Sequence, residues 1–302
     1  MKSRKSLWAA GVVLALGVCA AGCGSDEVGQ IAASVEWEAN QSTMLTEAKI
    51  ARFSQTMKIA EQGDASAQFS LAEMYTDGEG VERNVAEAAR WYRKSAEQGI
   101  AEAQFLLGIL YFAGHGVPKD AAEAVRWCRK SAEQGYGEAV FALGQLYASG
   151  YGVEKDAAEA VRWYRKSAEQ GSAAGQVMLG RMYQNGQGVK EDATKAFKWY
   201  MKAAEQGWGE AKYYLGMMYA NGEGVPKDTI QALMWYNLAA AWGLPDSRTA
   251  RDLLAKTMSK DEIAEAKRRE ERKKEMEAAV EEGFVSAAPT SSLSSLFSSP
   301  SE

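Results

Sequence analysis

An all-α fold, an α/α superhelical solenoid of helix-turn-helix repeats, is predicted by three features of this sequence. Trp followed by Tyr or Cys returns at Trp91, Trp127, Trp163, Trp199 and Trp235, and a glycine stands at the head of each unit at Gly63, Gly99, Gly135, Gly171 and Gly207 and again at Gly243, all at a 36-residue period. A fixed period of about 20 to 50 residues marks an array of stacked supersecondary units. Each unit holds two helical runs, the first with Ala103, Leu107 and Tyr111 at a four-residue stride that turns one face inward. Between the runs stands a Gly-x-Gly-Val loop, as in Gly114-His115-Gly116-Val117.

The chain has 302 residues and only five prolines, and 46% of it is hydrophobic, which suits one elongated helical domain with a continuous core. The net charge is −5, and loss of a leader carrying Lys2, Arg4 and Lys5 takes it to about −8. Nucleic acid is excluded as the main partner, because phosphate binding needs a basic footprint. Three cysteines make no disulfide framework, since Cys19 and Cys23 belong to the leader. Cys128 takes the place of Tyr92, Tyr164, Tyr200 and Tyr236 in the sister units and is read as a buried apolar thiol.

From the N-terminus, a basic Met1–Lys5 precedes an apolar run from Leu7 to Val18, too short for a mature membrane span and suited to an export signal over 1–22. Ala20-Ala21-Gly22-Cys23 resembles the lipobox of bacterial lipoproteins, although Ala20 stands where that pattern usually has Leu. The resemblance implies lipidation of Cys23 and a membrane anchor. Gly24, which is not Asp, implies the outer membrane by the Gram-negative sorting pattern, with the domain facing the periplasm. Residues 23–42 read as a tether, 43–62 as a capping helix, and 63–98, 99–134, 135–170, 171–206 and 207–242 as five repeats. Residues 243–283 read as terminal capping helices, the second a solvated helix dense in Lys, Arg and Glu, and 284–302 as a disordered Ser-rich tail.

Within the repeats, Gly108, Gly144, Gly180 and Gly216 sit in mid-helix, where glycine costs roughly 1 kcal/mol relative to alanine; they suggest close approach of another backbone, with Ala72 as the smallest substitute in the first unit. The first loop glycine reads as a helix stop in the left-handed conformation, and the valine as a plug between helices. A phosphate cradle is excluded because no strand precedes the loop and every unit carries it. Asn84, Asp120, Asp156, Asp192 and Asp228 stand at the start of the second helix, with Glu87, Glu123, Glu159 and Gln231 three residues on, a spacing like a capping box that Lys195 interrupts.

These residues identify the units as similar to Sel-one-like repeats, related to tetratricopeptide repeats. Ala-x-Ala-Gln, Leu-Gly, Tyr, Gly-x-Gly-Val, Asp, Ala, Trp and Ala-Glu-Gln-Gly stand in register from Gly99 to Gln134, and Ser259–Ala266 resembles the capping helix that often follows such arrays. The resemblance implies an adaptor that holds other proteins together, with no catalysis and no cofactor or metal.

Comparison among sister units separates fixed from free positions. The fifth, sixth, ninth and thirteenth residues of each unit are fixed and cluster on one side of the first helix; the fourth, eighth, eleventh and fifteenth lie opposite and vary. Glu73, Leu106, Ile109, Gln145, Met178, Arg181, Tyr214 and Met217 are the candidate partner-binding face. An apolar ribbon with polar edges suits a peptide or helix from a protein partner, on the concave surface if first helices line it. The expected function is a non-catalytic scaffold tethered in the bacterial envelope. A cell-wall or β-lactam hydrolase is the contrasting reading, because some cysteine-rich relatives of the superfamily are linked to β-lactam binding; this chain lacks their paired cysteines, and its single histidine, His115, lies in a loop. A structural component of an envelope assembly or secretion machine is the third.

Overall fold

The computed structural model describes residue 44 and residues 46–281. The expected leader, the lipidation site Cys23, the tether and the Ser-rich tail lie outside the described residues. The described residues form thirteen helices and no strand: α1 over 46–61, α2 Ala65–Asp77, α3 Val85–Glu97, α4 Ala101–Ala113, α5 Ala121–Glu133, α6 Gly137–Ser149, α7 Ala157–Glu169, α8 Ala173–Asn185, α9 Ala193–Glu205, α10 Gly209–Asn221, α11 Thr229–Ala241, α12 Pro245–Ala255 and α13 Lys260–Glu281. The fold class is the expected one, an all-α solenoid of helix-turn-helix units. The chain divides into two compact units between Ser131 and Ala132. The first is built around Leu71, Ala88, Tyr92, Leu107 and Trp127, the second around Tyr164, Leu179, Tyr200, Leu215 and Trp235.

Each second helix begins where its Asx residue places it. Asn84, Asp120, Asp156, Asp192 and Asp228 accept hydrogen bonds from backbone N–H groups of the first helical turn, which satisfies donors that a helix start leaves open. The reciprocal half of the expected capping box does not form. The cap residue's own N–H already donates to the carbonyl of the tyrosine that ends the unit's first helix, Tyr75, Tyr111, Tyr147, Tyr183 or Tyr219. Glu87, Glu123 and Glu159 are therefore free to pair with Arg90, Arg126 and Arg162. Lys195, which interrupts the pattern, still donates its N–H to Asp192 and adds an ion pair at 3.1 Å. A full reciprocal box closes at the start of α13, where Ser259 N–H donates to Glu262 at 2.8 Å and Glu262 N–H donates to Ser259 at 3.3 Å.

The mid-helix glycines answer mainly to a side chain, not to the backbone their position suggests. A Cβ on Gly144, Gly180 or Gly216 would stand 2.5–2.7 Å from ring carbons of Tyr164, Tyr200 or Tyr236. A Cβ on Gly108 would meet the Cys128 sulfur at 2.8 Å and helix backbone as well, the Ala124 carbonyl oxygen at 3.2 Å. The close backbone contact is instead made by the second loop glycine. At Gly188, φ is +66° and a Cβ would lie 2.1 Å from the Ala157 carbonyl oxygen, so the loop of one repeat rests on the start of the preceding unit's second helix.

The Trp-Tyr stretch is core, as its repetition indicates: Trp91, Tyr92, Trp127, Tyr164, Tyr200, Trp235 and Tyr236 are buried. The Arg-Lys pair that follows it lies at the surface, with Arg93, Lys94, Lys130 and Lys202 exposed, and still makes contacts with the aromatic residues. Lys94, Lys130, Lys166 and Lys202 lie 3.7–5.1 Å from the tryptophan ring three residues earlier. Arg165 donates to the Tyr183 hydroxyl of the following repeat at 3.1 Å, and Arg93 does the same to Tyr111. The terminal helix α13 departs from its expected solvated character. Ala266 and Lys273 are buried, Lys273 lies 5.0 Å from the Trp235 ring, and Arg269 reaches Asp228 at 3.5 Å, so one side of α13 covers α11.

Candidate partner-binding face

The first helices place their two sides as the period requires. Ala103, Gln104, Leu107 and Tyr111 of α4 are buried, as are Gly175, Gln176, Leu179 and Tyr183 of α8. Gln104 and Gln176 donate to the carbonyls of Ala96 and Ala168, which makes a polar side chain acceptable inside. None of the fourth, eighth, eleventh or fifteenth residues of any unit is buried.

Those outward residues do not behave alike. The eighth positions lean toward the core: Leu106 packs against the first unit's cluster, and Met178 and Tyr214 against the second's. Of the eleventh positions, Glu73, Ile109 and Gln145 are exposed, Ile109 by 41%, while Arg181 and Met217 are half-buried. Periodicity assigns a side of the helix but does not distinguish these two rows, since both fall within one broad outward arc.

In the first unit the face is acidic and aliphatic. Glu73 is held above the ordinary carboxylate range, first by desolvation and then by repulsion from Glu102 and Asp77, with Arg52 opposing. Leu106 and Ile109 occupy the next helix. In the second unit the face is aromatic and carries a cation. Tyr214 stacks on Tyr200 with ring centroids 4.7 Å apart and planes 15° apart, and its hydroxyl reaches Glu210 at 3.4 Å. Arg181 comes within 3.9 Å of the Met178 sulfur. Its charge also lowers the hydroxyl pKa values of Tyr164, Tyr200 and Tyr214, all three of which desolvation raises, Tyr164 to about 12. Met178 and Arg181 are thus in contact, and Arg181 is near enough to Tyr214 to act on its hydroxyl electrostatically. Gln145 and Met217 share the outward side but make no hydrogen bond or ion pair to that trio.

Tyr200 is the residue that sequence reasoning misses here. It belongs to the invariant Trp-Tyr slot and is fully buried, yet its ring supports Tyr214 while its hydroxyl donates to Gln184 at 2.9 Å. Aromatic Tyr214 at a free position opposite a fixed tyrosine was the only available signal.

A model of the Sel1 repeat matches residues 65–100, 101–136, 137–172, 173–208 and 209–243, phased two residues later than the period counted from Gly63. The chain belongs to the Sel1 repeat family. Among solved structures, the Sel1 repeat protein of Oxalobacter formigenes is 40% identical, with a TM-score of 0.62 over 67% of this chain and 84% of that one. The Escherichia coli protein c5321, described as a protective antigen of uropathogenic strains with an SLR fold, is 39% identical, with a TM-score of 0.64 over 66% of this chain. The match covers 43% of that longer protein. No curated protein sequence matches.

Sel1 repeats are a general protein-interaction scaffold, and the family is typically non-catalytic. The groups that could suggest chemistry have structural surroundings. Cys128 is buried, and desolvation pushes its thiol up to about 11, away from the thiolate that reacts. His115 is exposed in its loop. Among the described residues no cluster of three His, Cys, Asp or Glu could hold a metal ion, and no helix is long and apolar enough to cross a membrane.

Proposed function

We propose that this Sel1 repeat protein is a non-catalytic scaffold of the bacterial envelope, tethered through a lipid on Cys23 to the outer membrane on its periplasmic side. Its partner is a protein segment that lies on the outward side of the first helices. The reading is carried by one observation: every free position of those helices is left unburied while the fixed positions opposite are used up in packing. Leu106, Met178 and Tyr214 lend part of their surface to the core and leave the rest to solvent, and Ile109 is largely exposed; apolar surface left unburied along one side is what a docking surface looks like in the free protein. The anchor and location rest on the lipobox resemblance at Ala20–Cys23.

Ile109→Asp combined with Met217→Asp leaves the helical circular-dichroism signal and the melting temperature unchanged and abolishes capture of partners from envelope extracts. Recovery of the same proteins by the double variant refutes the assignment of this face. Cys23→Ser moves the protein from the membrane to the soluble fraction after osmotic release; retention in the membrane refutes the tether.

A further inference from the structure

Arg181 is an arginine whose own helix offers no acid. Arg90, Arg126 and Arg162 each pair with a glutamate three residues earlier; the residue three before Arg181 is Met178, and α8 contains neither Asp nor Glu from Ala173 to Asn185. The nearby carboxylates are engaged elsewhere. Glu210 receives the Tyr214 hydroxyl, and Glu223 is bound by Gln184 at 3.2 Å and Asn221 at 2.9 Å. Among the described residues no carboxylate oxygen lies within 4.0 Å of the Arg181 nitrogens. The guanidinium is half-buried and acts electrostatically on Tyr164, Tyr200 and Tyr214. A half-buried planar cation that touches a flexible thioether and acts electrostatically on nearby tyrosines, with no carboxylate partner among the described residues, matches a carboxylate that arrives with an apolar neighbour.

Resting on the scaffold reading above, we propose that Arg181, Met178 and Tyr214 form a subsite for an internal acidic side chain of the partner segment, an Asp or Glu flanked by an aliphatic or aromatic residue. The carboxylate meets the guanidinium, and the flanking side chain lies against Met178 and the exposed part of Tyr214, which Tyr200 holds from beneath. Charge complementarity selects the occupant: the subsite has an unmatched positive charge, whereas a basic segment would bring a second cation to the same spot.

The test is a library of N-acetylated, C-amidated dodecapeptides of mixed composition, probed with the full chain and with R181Q and R181E. The subsite predicts that the wild type selects peptides with Asp or Glu beside a hydrophobic residue. R181Q should lose about thirtyfold in affinity for them, the usual loss when one partner of a desolvated charge pair is truncated. R181E should select Lys or Arg at the acidic position. Amidating the acid of a selected peptide, Asp to Asn or Glu to Gln, weakens wild-type binding by the same factor, a readout that does not depend on the variants folding. Selection without acidic enrichment, undiminished binding by R181Q, or binding only to peptides with a free C-terminal carboxylate overturns the subsite and leaves the scaffold standing. Absence of any peptide selection also overturns it, while the pull-down with the Ile109 and Met217 variants decides on the scaffold separately.

Discussion

The inner and outer sides of the first helices are made from the same thirteen-residue segments, yet they answer to different pressures. On the inner side, Ala139, Leu143 and Gly144 of α6 repeat almost unchanged as Ala211, Leu215 and Gly216 of α10. Gly144 and Gly216 are each shaped to the tyrosine ring they face. On the outer side, the eleventh position passes through Glu73, Ile109, Gln145, Arg181 and Met217 with no common chemistry. Identity between repeats therefore reports the packing that a repeat needs from its neighbour, and difference between repeats marks the surface that packing leaves free.

Substitutions on the two sides should separate by size. The largest effect is expected at Gly188, where alanine must adopt a left-handed φ of +66° and a Cβ 2.1 Å from the Ala157 carbonyl oxygen; urea unfolding should show a loss of about 3 kcal/mol or more. Gly144→Ala follows. Its Cβ would meet the Tyr164 ring at 2.7 Å, and the overpacking cost of about 1–3 kcal/mol is partly offset by the roughly 1 kcal/mol that alanine gains in helix propensity.

Alkali attacks the same inner contact. Tyr164 has its hydroxyl pKa raised by burial from 10.0 to about 12, so its contribution is fully present below pH 10 and is lost as pH climbs toward 12, by about 2 kcal/mol at the top of that window. Tyr164→Phe should flatten that part of the stability profile. Asp156→Ala removes a cap that accepts from both Ala158 and Glu159 and should cost about 1 kcal/mol. At the small end, Met217→Asp on the outer side should change stability by no more than about 0.5 kcal/mol; a loss as large as that of Gly144→Ala would place Met217 in the packing and dissolve the distinction between the sides.

The repeat period, helix pairs, loop stops and Asx caps were legible in the residues because each is a local rule repeated five times. What escaped the sequence depends on which atom lies across a gap. Gly180 announces a close approach, but only the folded chain shows that the Tyr200 ring makes it. Glu87 has the spacing of a reciprocal cap, and nothing local says that the Asn84 N–H is already taken by the Tyr75 carbonyl. The outward side was legible by period. The inward lean of Leu106, Met178 and Tyr214 was not, because side-chain direction there is decided by a neighbouring helix. Lys273 reads as one charge among many in a polar helix, and its place over Trp235 depends on how α13 docks.

That docking bears on assembly. A repeat stack ends in a surface shaped for one more copy of itself, and unshielded ends of this kind invite head-to-tail joining into open filaments. Here α13 lays Lys273 over Trp235 and engages the Asp228 carboxylate through Arg269. Anything that sought the same edge would have to displace a helix and strip Asp228 of its arginine. The terminal helix therefore shields the edge that the last repeat would otherwise leave open to solvent.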